Sequence, residues 1–262
     1  MTARSPLVLL HGVTMSGLVW REVLPLLAEH HDVRTPTTMG HRGGRVPGRV
    51  PVTITDLVDD CERWLDQEGL DAPHLAGNSL GGWMALELAR RGRAASVCAI
   101  SPGGFWPPAT SEGGGRPPSA ARVLRRSAEL ARRTRHVSPL ALQLPVVRQR
   151  ALAGVATRGS RVPADLAVEI TRDLVACTVL EDALATTEHV AEMDPLPCPV
   201  RLVWAGEDRL FPPHRNGRRA QELLPAAEYV ELPGLGHVPM LDDPAAVAEQ
   251  VLTSTGALAS EA

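Results

Sequence analysis

The sequence contains no lysine, so all 27 of its basic residues are arginine. Without lysine the chain cannot form a Schiff base through a side-chain amine or hold pyridoxal phosphate covalently. It also has no Walker A lysine for a nucleotide phosphate. Several enzyme classes are therefore excluded. The use of arginine alone, with many Ala, Gly and Pro, is typical of a GC-rich coding sequence and carries no mechanistic information.

Cysteine is also scarce. The four cysteines, Cys61, Cys98, Cys177 and Cys198, are scattered and form no C-x-x-C pair. This pattern predicts reduced thiols in a cytoplasmic protein and gives no sign of a metal site. Nothing in the sequence calls for a cofactor, so we expect none.

Long hydrophobic runs are missing as well. The N-terminal run "PLVLL" has five residues, too few for a signal peptide or a membrane span. The net charge of −3 gives no general reason to expect a nucleic-acid partner. We therefore expect a globular protein that acts on a small molecule, with no nucleic-acid or membrane partner. No feature indicates a homo-oligomer.

Six short apolar segments alternate with helical patterns. Several lack polar alternation, as expected for strands buried on both faces of a parallel sheet. Helical patterns at 16–30 and 55–69 separate the early segments, and the alternation predicts an α/β fold. The segments lie at 7–10, 32–36, 73–78, 96–101, 200–206 and 228–234.

The alternation stops between residues 103 and 193. A Gly- and Pro-rich stretch is followed there by helical patterns and no credible strand. We interpret 103–193 as a helical cap inserted into a core formed by 1–102 and 194–262. Such a cap would lie above the carboxyl ends of the strands, where parallel sheets bind ligands. The helical patterns cover roughly 119–135, 139–157, 163–177 and 179–191.

The segment "GNSLG" at 77–81 fits the pattern G-x-S-x-G, with a strand predicted before it and a helix after it. A sharp strand-to-helix turn needs very small residues two positions before and after the nucleophile, and Gly77 and Gly81 meet that need. Gly82 would let the helix pack closely on the sheet. On this segment alone, Ser79 is either a nucleophile or an ordinary serine N-cap.

Two later residues favour the interpretation of Ser79 as a nucleophile. Asp208 follows the predicted strand at 200–206, and His237 follows the one at 228–234. A serine needs a base, and a histidine base needs an orienting group. Ser, Asp and His occur here in the chain order of the α/β-hydrolases, each after a strand.

The whole chain resembles the α/β-hydrolase family. The resemblance implies a mostly parallel central sheet flanked by helices, with Ser79 as nucleophile, His237 as general base and acid, and Asp208 as the orienting carboxylate. The element "LLHGV" at 9–13 matches the family's "HG" loop, which implies that the backbone N–H groups of Val13 and Leu80 form the oxyanion hole. Only six residues precede Leu7, so the family's N-terminal edge strands are expected to be shortened.

Other candidate residues carry less weight. Gly12, Phe105, Trp106 and Val238 are candidates for substrate binding, although the chain has so few aromatic residues that Phe105 and Trp106 could be core. A relocated acid at Asp182 or Asp194 remains an alternative to Asp208. His11 is expected to shape its loop, and capping of the helix from Pro244 explains Asp242 and Asp243. The loop "TMGHRGG" at 38–44 lacks the family's usual aspartate, so we assign it no chemistry.

The stretch 116–136 carries seven arginines against one glutamate. Val123, Leu124, Ser127, Ala128 and Ala131 fall on one helical face. We interpret the other face as a solvated lid surface, with attraction of anionic substrates as the alternative.

The resulting hypothesis is a serine hydrolase that cleaves a carboxylic ester or thioester through an acyl-enzyme on Ser79. A serine nucleophile disfavours the haloalkane dehalogenase and epoxide hydrolase branches, which use a carboxylate. "GNSLGG" with the acid loop is similar to carbon–carbon bond hydrolases of the meta-cleavage type, although "HVPML" lacks their aromatic residue after the histidine. An acyltransferase, cyclase or lyase and a non-catalytic receptor or scaffold are further alternatives.

Overall fold

The computed structural model describes residues 4–107 and 118–258, with backbone only at 118 and 119. Within these residues, six parallel strands form one sheet in the order β2-β1-β3-β4-β5-β6. The prediction of an α/β fold is confirmed, and all six predicted segments contain a strand. The strands are β1 Pro6–Leu10, β2 Asp32–Arg34, β3 His74–Asn78, β4 Ser96–Ile100, β5 Val200–Ala205 and β6 Glu228–Leu232.

Helices cover both faces of the sheet. In β1, Leu7 and Leu9 belong to one buried cluster, and Val8 and Leu10 belong to the other. Successive side chains of a strand point to opposite faces, so a strand covered on both faces is apolar throughout. The helices are α1 Leu24–Ala28, α2 Ile54–Gln67, α3 Leu80–Arg90, α4 Pro118–Thr134, α5 Ser138–Ala141, α6 Pro145–Leu152, α7 Ala164–Ala176, α8 Leu180–Ala185, α9 Arg218–Leu223 and α10 Pro244–Ser254.

Two predicted helices are broken by proline. The pattern at 16–30 forms a 3-10 turn at Gly17–Trp20 and then α1, with Pro25 in its first turn. The pattern at 139–157 divides into α5 and α6, and Pro145 opens α6. Proline lacks the N–H that an interior position donates, so it starts a helix and does not continue one. The pattern at 179–191 is shorter than predicted, since α8 ends at Ala185.

The helix predicted at 55–69 is confirmed as α2. Thr53 and Asp56 form a reciprocal capping box at its start: the Thr53 side chain accepts from the Asp56 N–H, and Asp56 accepts from the Thr53 N–H. Because two otherwise unpaired donors are satisfied, the helix start is well defined.

Between β4 and β5, the described residues form helices α4 to α8 and no strand. This matches the content expected of the predicted cap, whose division from the core stays a prediction. The Gly- and Pro-rich stretch after residue 103 continues into residues 108–117, which lie outside the described residues. Arg116 is one of these residues. Across the described ranges, no helix is both long and apolar enough to cross a membrane.

Candidate active site

Ser79 occupies a strained turn between β3 and α3. Its φ of 56° and ψ of −115° lie in a region that side-chain-bearing residues rarely adopt. Ser79 stands at the N-cap position of α3, but its side chain makes no capping hydrogen bond, so capping does not explain the serine. The Ser79 N–H donates to the Ile100 carbonyl oxygen at 2.9 Å, which ties the turn to the end of β4.

The glycines around Ser79 provide clearance between backbone segments. A Cβ on Gly77 would lie 2.2 Å from the Gly81 carbonyl oxygen, and one on Gly81 would lie 2.2 Å from the Leu10 carbonyl oxygen. No side chain fits at such distances. This is the close approach that the G-x-S-x-G pattern predicts.

His237 and Asp208 form a buried pair. His237 Nδ1 lies 2.7 Å from Asp208 Oδ2, while Oδ1 accepts the N–H groups of Leu210 and Phe211, each at 2.8 Å. These bonds fix the carboxylate, and the carboxylate in turn holds a proton on Nδ1. Nε2 is then left as the acceptor, the arrangement that a histidine base requires.

Asn78 connects this pair to the serine turn. Its side-chain Nδ2 donates to the His237 carbonyl oxygen at 2.9 Å and to the Ile100 carbonyl oxygen at 3.2 Å. The residue before Ser79 therefore holds the backbone of the histidine loop. Sequence reasoning missed this role.

Ser79 and His237 line the same cavity, together with Gly12, Val13 and the predicted Leu80. Thr14, next in the loop, has a φ of 72°. Within the part of the chain that the structure describes, neither the Val13 N–H nor the Leu80 N–H donates a hydrogen bond. Two unpaired donors beside a serine suit an oxyanion hole.

The remaining walls of the cavity are mainly apolar. Val238 is one of the lining residues, whereas the ring of Trp106 packs behind the wall, 5.4 Å from that of Trp83 and 5.9 Å from that of Phe211. Phe105 packs against Trp204. Neither Phe105 nor Trp106 lines the cavity. Sequence reasoning missed several lining residues that come from distant parts of the chain, namely Ile54, Val155, Ala183, Leu210 and Phe211.

Of the two alternative acids, Asp182 is engaged away from His237. Asp182 accepts the Val52 N–H at 2.9 Å. Asp243 caps α10 as expected, but Asp242 does not: it accepts the N–H groups of Thr157, Arg158 and Gly236. Asp242 therefore ties the segment after α6 to the loop of His237.

Helix α7 is bonded to two loops, the one at 12–16, which lines the cavity, and the one at 38–44. Ser16 Oγ donates to Asp173 at 2.6 Å, and Arg42 contacts both Asp173 and Glu169 at 2.6 Å. Burial raises the pKa of Asp173, an effect that the bonds from Ser16 and Arg42 oppose. The 38–44 loop thus supports α7, which is consistent with its having no assigned chemistry.

His11 and His41 are buried against each other, with ring centroids 4.8 Å apart. His11 Nε2 accepts the Thr38 N–H at 3.0 Å, and Nδ1 lies 2.9 Å from the Gly12 carbonyl oxygen. Burial lowers the pKa of His11 to about 3 and that of His41 to about 4. Both rings are therefore neutral at pH 7, and His11 shapes its loop as expected.

These histidines predict a loss of stability in acid. Their pKa values are lower in the folded state than in the unfolded state, so below pH 6.5 the unfolded chain takes up more protons. The free energy of unfolding is expected to fall as the pH drops from about 6.5 to about 4, by up to about 1.4 kcal/mol per pH unit per histidine. Urea titrations at several pH values measure this slope, and His41→Gln should reduce it. An unchanged slope in that variant would assign the acid effect to other groups.

The sequence profile of the alpha/beta hydrolase family matches residues 7–250. The chain belongs to the alpha/beta hydrolase family. A curated relative, the epoxide hydrolase EphH of Mycobacterium tuberculosis, is 35% identical over 207 residues, which cover 74% of this chain and 91% of that protein.

The fold of this alpha/beta hydrolase is also similar to solved structures of other hydrolases. The 2-hydroxy-6-oxo-6-phenylhexa-2,4-dienoate hydrolase of Rhodococcus sp. strain RHA1 has a TM-score of 0.74 at 21% identity, covering 97% of this chain and 91% of that one. An esterase from Thermogutta terrifontis has a TM-score of 0.68 at 22% identity, covering 95% and 88%. At these identities the likeness concerns the fold. Because the chain belongs to the alpha/beta hydrolase family, it is an alpha/beta hydrolase enzyme.

Proposed function

We propose that this alpha/beta hydrolase cleaves a carboxylic ester or thioester through an acyl-enzyme on Ser79. The observation that carries the proposal is the strained Ser79 lining one cavity with His237, whose Nδ1 is held by Asp208. A nucleophile, a base and a carboxylate that orients the base are what acyl transfer by serine requires.

The reaction has two steps. His237 Nε2 takes the Ser79 proton while Oγ attacks the carbonyl carbon, and the oxyanion accepts the N–H groups of Val13 and Leu80. The imidazolium then protonates the leaving alcohol or thiol. Water, deprotonated by the same histidine, attacks the acyl-enzyme, and the imidazolium returns that proton to Ser79 Oγ as the acid is released. Each strong oxyanion donor contributes about 3 to 4 kcal/mol to the barrier reduction.

The proposed substrate is a small or medium, partly apolar ester. The cavity walls support this class, because Ile54, Leu124, Val155 and Leu210 present aliphatic groups around Ser79. Phe105 and Trp106 are proposed as support for that wall, behind Trp83. Because all four cysteines are free, we also propose a cytoplasmic location.

Epoxide hydrolysis is a second candidate because the 35% identical relative carries that name. A serine alkoxide that opened an epoxide would leave an ether on Ser79, which water and histidine do not cleave. A carboxylate nucleophile forms a hydrolysable ester instead. Ester cleavage therefore suits Ser79 better, and carbon–carbon bond hydrolysis, acyl transfer, cyclisation and a lyase reaction are the remaining alternatives.

The direct test is labelling by a fluorophosphonate probe, with the adduct located by peptide mass spectrometry. We expect one adduct, on Ser79, and none in Ser79→Ala. Ser101 is a matched control because it too has a positive φ, of 42°, but it is fully buried and outside the cavity. Ser101→Ala should still label. Failure of the wild type both to label and to hydrolyse p-nitrophenyl esters of any chain length would falsify the proposal.

A second prediction concerns the bond between Ser16 and Asp173. Residues 12–16 carry the Val13 N–H, and this bond ties them to α7. We expect Ser16→Ala and Asp173→Ala each to lower kcat about tenfold with little change in KM, because a small displacement of an oxyanion donor is costly. The double variant should lose no more activity than Asp173→Ala alone, because that change already removes the bond from Ser16 together with the one from Arg42.

The control is Asp165→Asn, on the same helix. Asp165 is exposed and pairs with Arg21, so it joins α7 to the core without touching the oxyanion loop. Its kcat should stay within about twofold of wild type, as for surface ion pairs in general. A parallel rise in KM in the Ser16 and Asp173 variants would indicate general loosening of the substrate site.

A further inference from the structure

Helices α4 to α6 present an exposed apolar surface. Five large aliphatic side chains within 17 residues are between 57% and 80% exposed, half of all such exposed residues in the described chain. They are Leu130, Val137, Leu140, Leu144 and Val146. Exposed apolar side chains that cluster in one place mark an interaction site, whereas ones scattered singly over a surface are ordinary.

The backbone under these side chains is firmly held. Arg148 is buried, and its guanidinium donates to the carbonyl oxygens of Leu142, Gln143 and Ser160. Successive turns join 137 to 147. Val137, Leu140 and Leu144 have the spacing of one helical face, and Leu142, on the opposite face, is buried. The aliphatic groups therefore project from a fixed base.

The same segment is strongly basic. Residues 120–152 contain eight arginines and one glutamate, a net charge of +7 in a chain whose total is −3. Arg126 and Arg133 lie four residues before and three after Leu130, so they flank it on the outer face of α4. We call residues 120–152 the basic cap surface.

From this combination we propose that the basic cap surface binds the face of an anionic lipid bilayer. Exposed aliphatic groups enter the boundary between head groups and acyl chains, and arginines around them pair with lipid phosphates. A second copy of this chain fits poorly, since a two-fold contact would bring two arginine-rich surfaces of the same sign together. Leu and Val are also under-represented among the residues that dominate protein–protein binding.

The proposal differs from the expectation that the protein has no membrane partner. That expectation rested on the absence of hydrophobic runs long enough for a membrane span or a signal peptide, and it did not consider binding to a membrane surface. It adds a location for the proposed hydrolase. The inner side of α4 contributes Ala120 and Leu124 to the active-site cavity. Helix α4 thus carries Leu130 of the proposed lipid contact on its outer side and part of the cavity wall on its inner side.

The test is cosedimentation of the full chain with vesicles. We expect binding to vesicles of phosphatidylglycerol and phosphatidylcholine in equal amounts, weakened by high salt, and little binding to phosphatidylcholine alone. Arg126→Gln with Arg133→Gln should lower the partition coefficient about 25-fold, at roughly fivefold per arginine near the bilayer surface. Leu140→Ser with Leu144→Ser should lower it at least about tenfold.

Matched controls come from elsewhere on the surface. Leu18→Ser with Leu26→Ser removes two exposed leucines beside α1, and Arg218→Gln removes an exposed arginine on α9. Both should bind as wild type does, and circular dichroism checks that every variant is folded. Equal binding to both vesicle types, or none to either, would overturn the proposal. Concentration-dependent dimers abolished by the Leu140 and Leu144 changes, without vesicle binding, would assign the surface to self-association. Fluorophosphonate labelling of Ser79 in the same samples tests the proposed function separately.

Discussion

Replacing Asp208 by asparagine is expected to lower kcat about 10⁴-fold while leaving the fold intact. The amide oxygen of the new side chain can still accept the N–H groups of Leu210 and Phe211, so the loop keeps its shape. The amide nitrogen then faces His237 Nδ1, where Asp208 Oδ2 now lies at 2.7 Å. A donor there moves the histidine proton to Nε2, and the histidine can no longer act as a base towards Ser79. The expected size is that of the same change in a serine protease of another fold.

Asp243→Asn provides the matched control for Asp208→Asn. Asp243 caps α10 a few residues after His237, and asparagine caps a helix about as well as aspartate does. Steady-state kinetics on an ester substrate and thermal unfolding should both resemble wild type. If both variants lost kcat to a similar extent, the loss would be due to the removal of negative charge near the histidine loop and not to the removal of the bond between Asp208 and His237 Nδ1.

Gly77→Ala is expected to cause a large loss of stability. The added Cβ would lie 2.2 Å from the Gly81 carbonyl oxygen and 2.6 Å from the Gly82 nitrogen. Both atoms are backbone, so α3 must move away from β3. We expect a cost of about 3 kcal/mol or more, and a loss of at least about 100-fold in kcat/KM for the folded fraction, because Ser79 moves with the helix.

Gly48→Ala tests whether any glycine replacement has this effect. A Cβ at Gly48 would meet no atom within 4 Å, and its φ is not positive. Urea unfolding should give a midpoint at or slightly above wild type, because alanine restricts the unfolded chain. If Gly77→Ala unfolds at the same urea concentration as Gly48→Ala, the turn does not need the clearance inferred for it.

The sheet could be predicted from sequence because strands buried on both faces are apolar without alternation. β1 illustrates this, with Leu7 and Leu9 facing one cluster and Val8 and Leu10 the other. The Ser79 turn was equally predictable, since its strain requires glycines at fixed positions. Helix ends were less predictable: Pro25 lies in the first turn of α1 and Pro145 opens α6, where periodicity alone indicated continuous helices.

The walls of the candidate site were harder to predict. Ile54 opens α2, and Val155 follows α6, yet both meet at the cavity. No local pattern reports such a meeting, because it depends on how helices α4 to α8 sit over the sheet. Asp242 shows the same limit. Its position beside α10 indicated a cap, but its three N–H partners include Thr157 and Arg158, which are distant in sequence.

The most direct measurement is to find the acyl group during turnover. The enzyme is mixed with an excess of a p-nitrophenyl ester, quenched in acid and digested, and the peptides are analysed by mass spectrometry. We expect the substrate's acyl group on Ser79 in wild type, in an amount that decays as substrate is consumed, and no acyl peptide from Ser79→Ala. Ester hydrolysis at the wild-type rate by Ser79→Ala, or an acyl group only on another residue, would contradict covalent catalysis by Ser79.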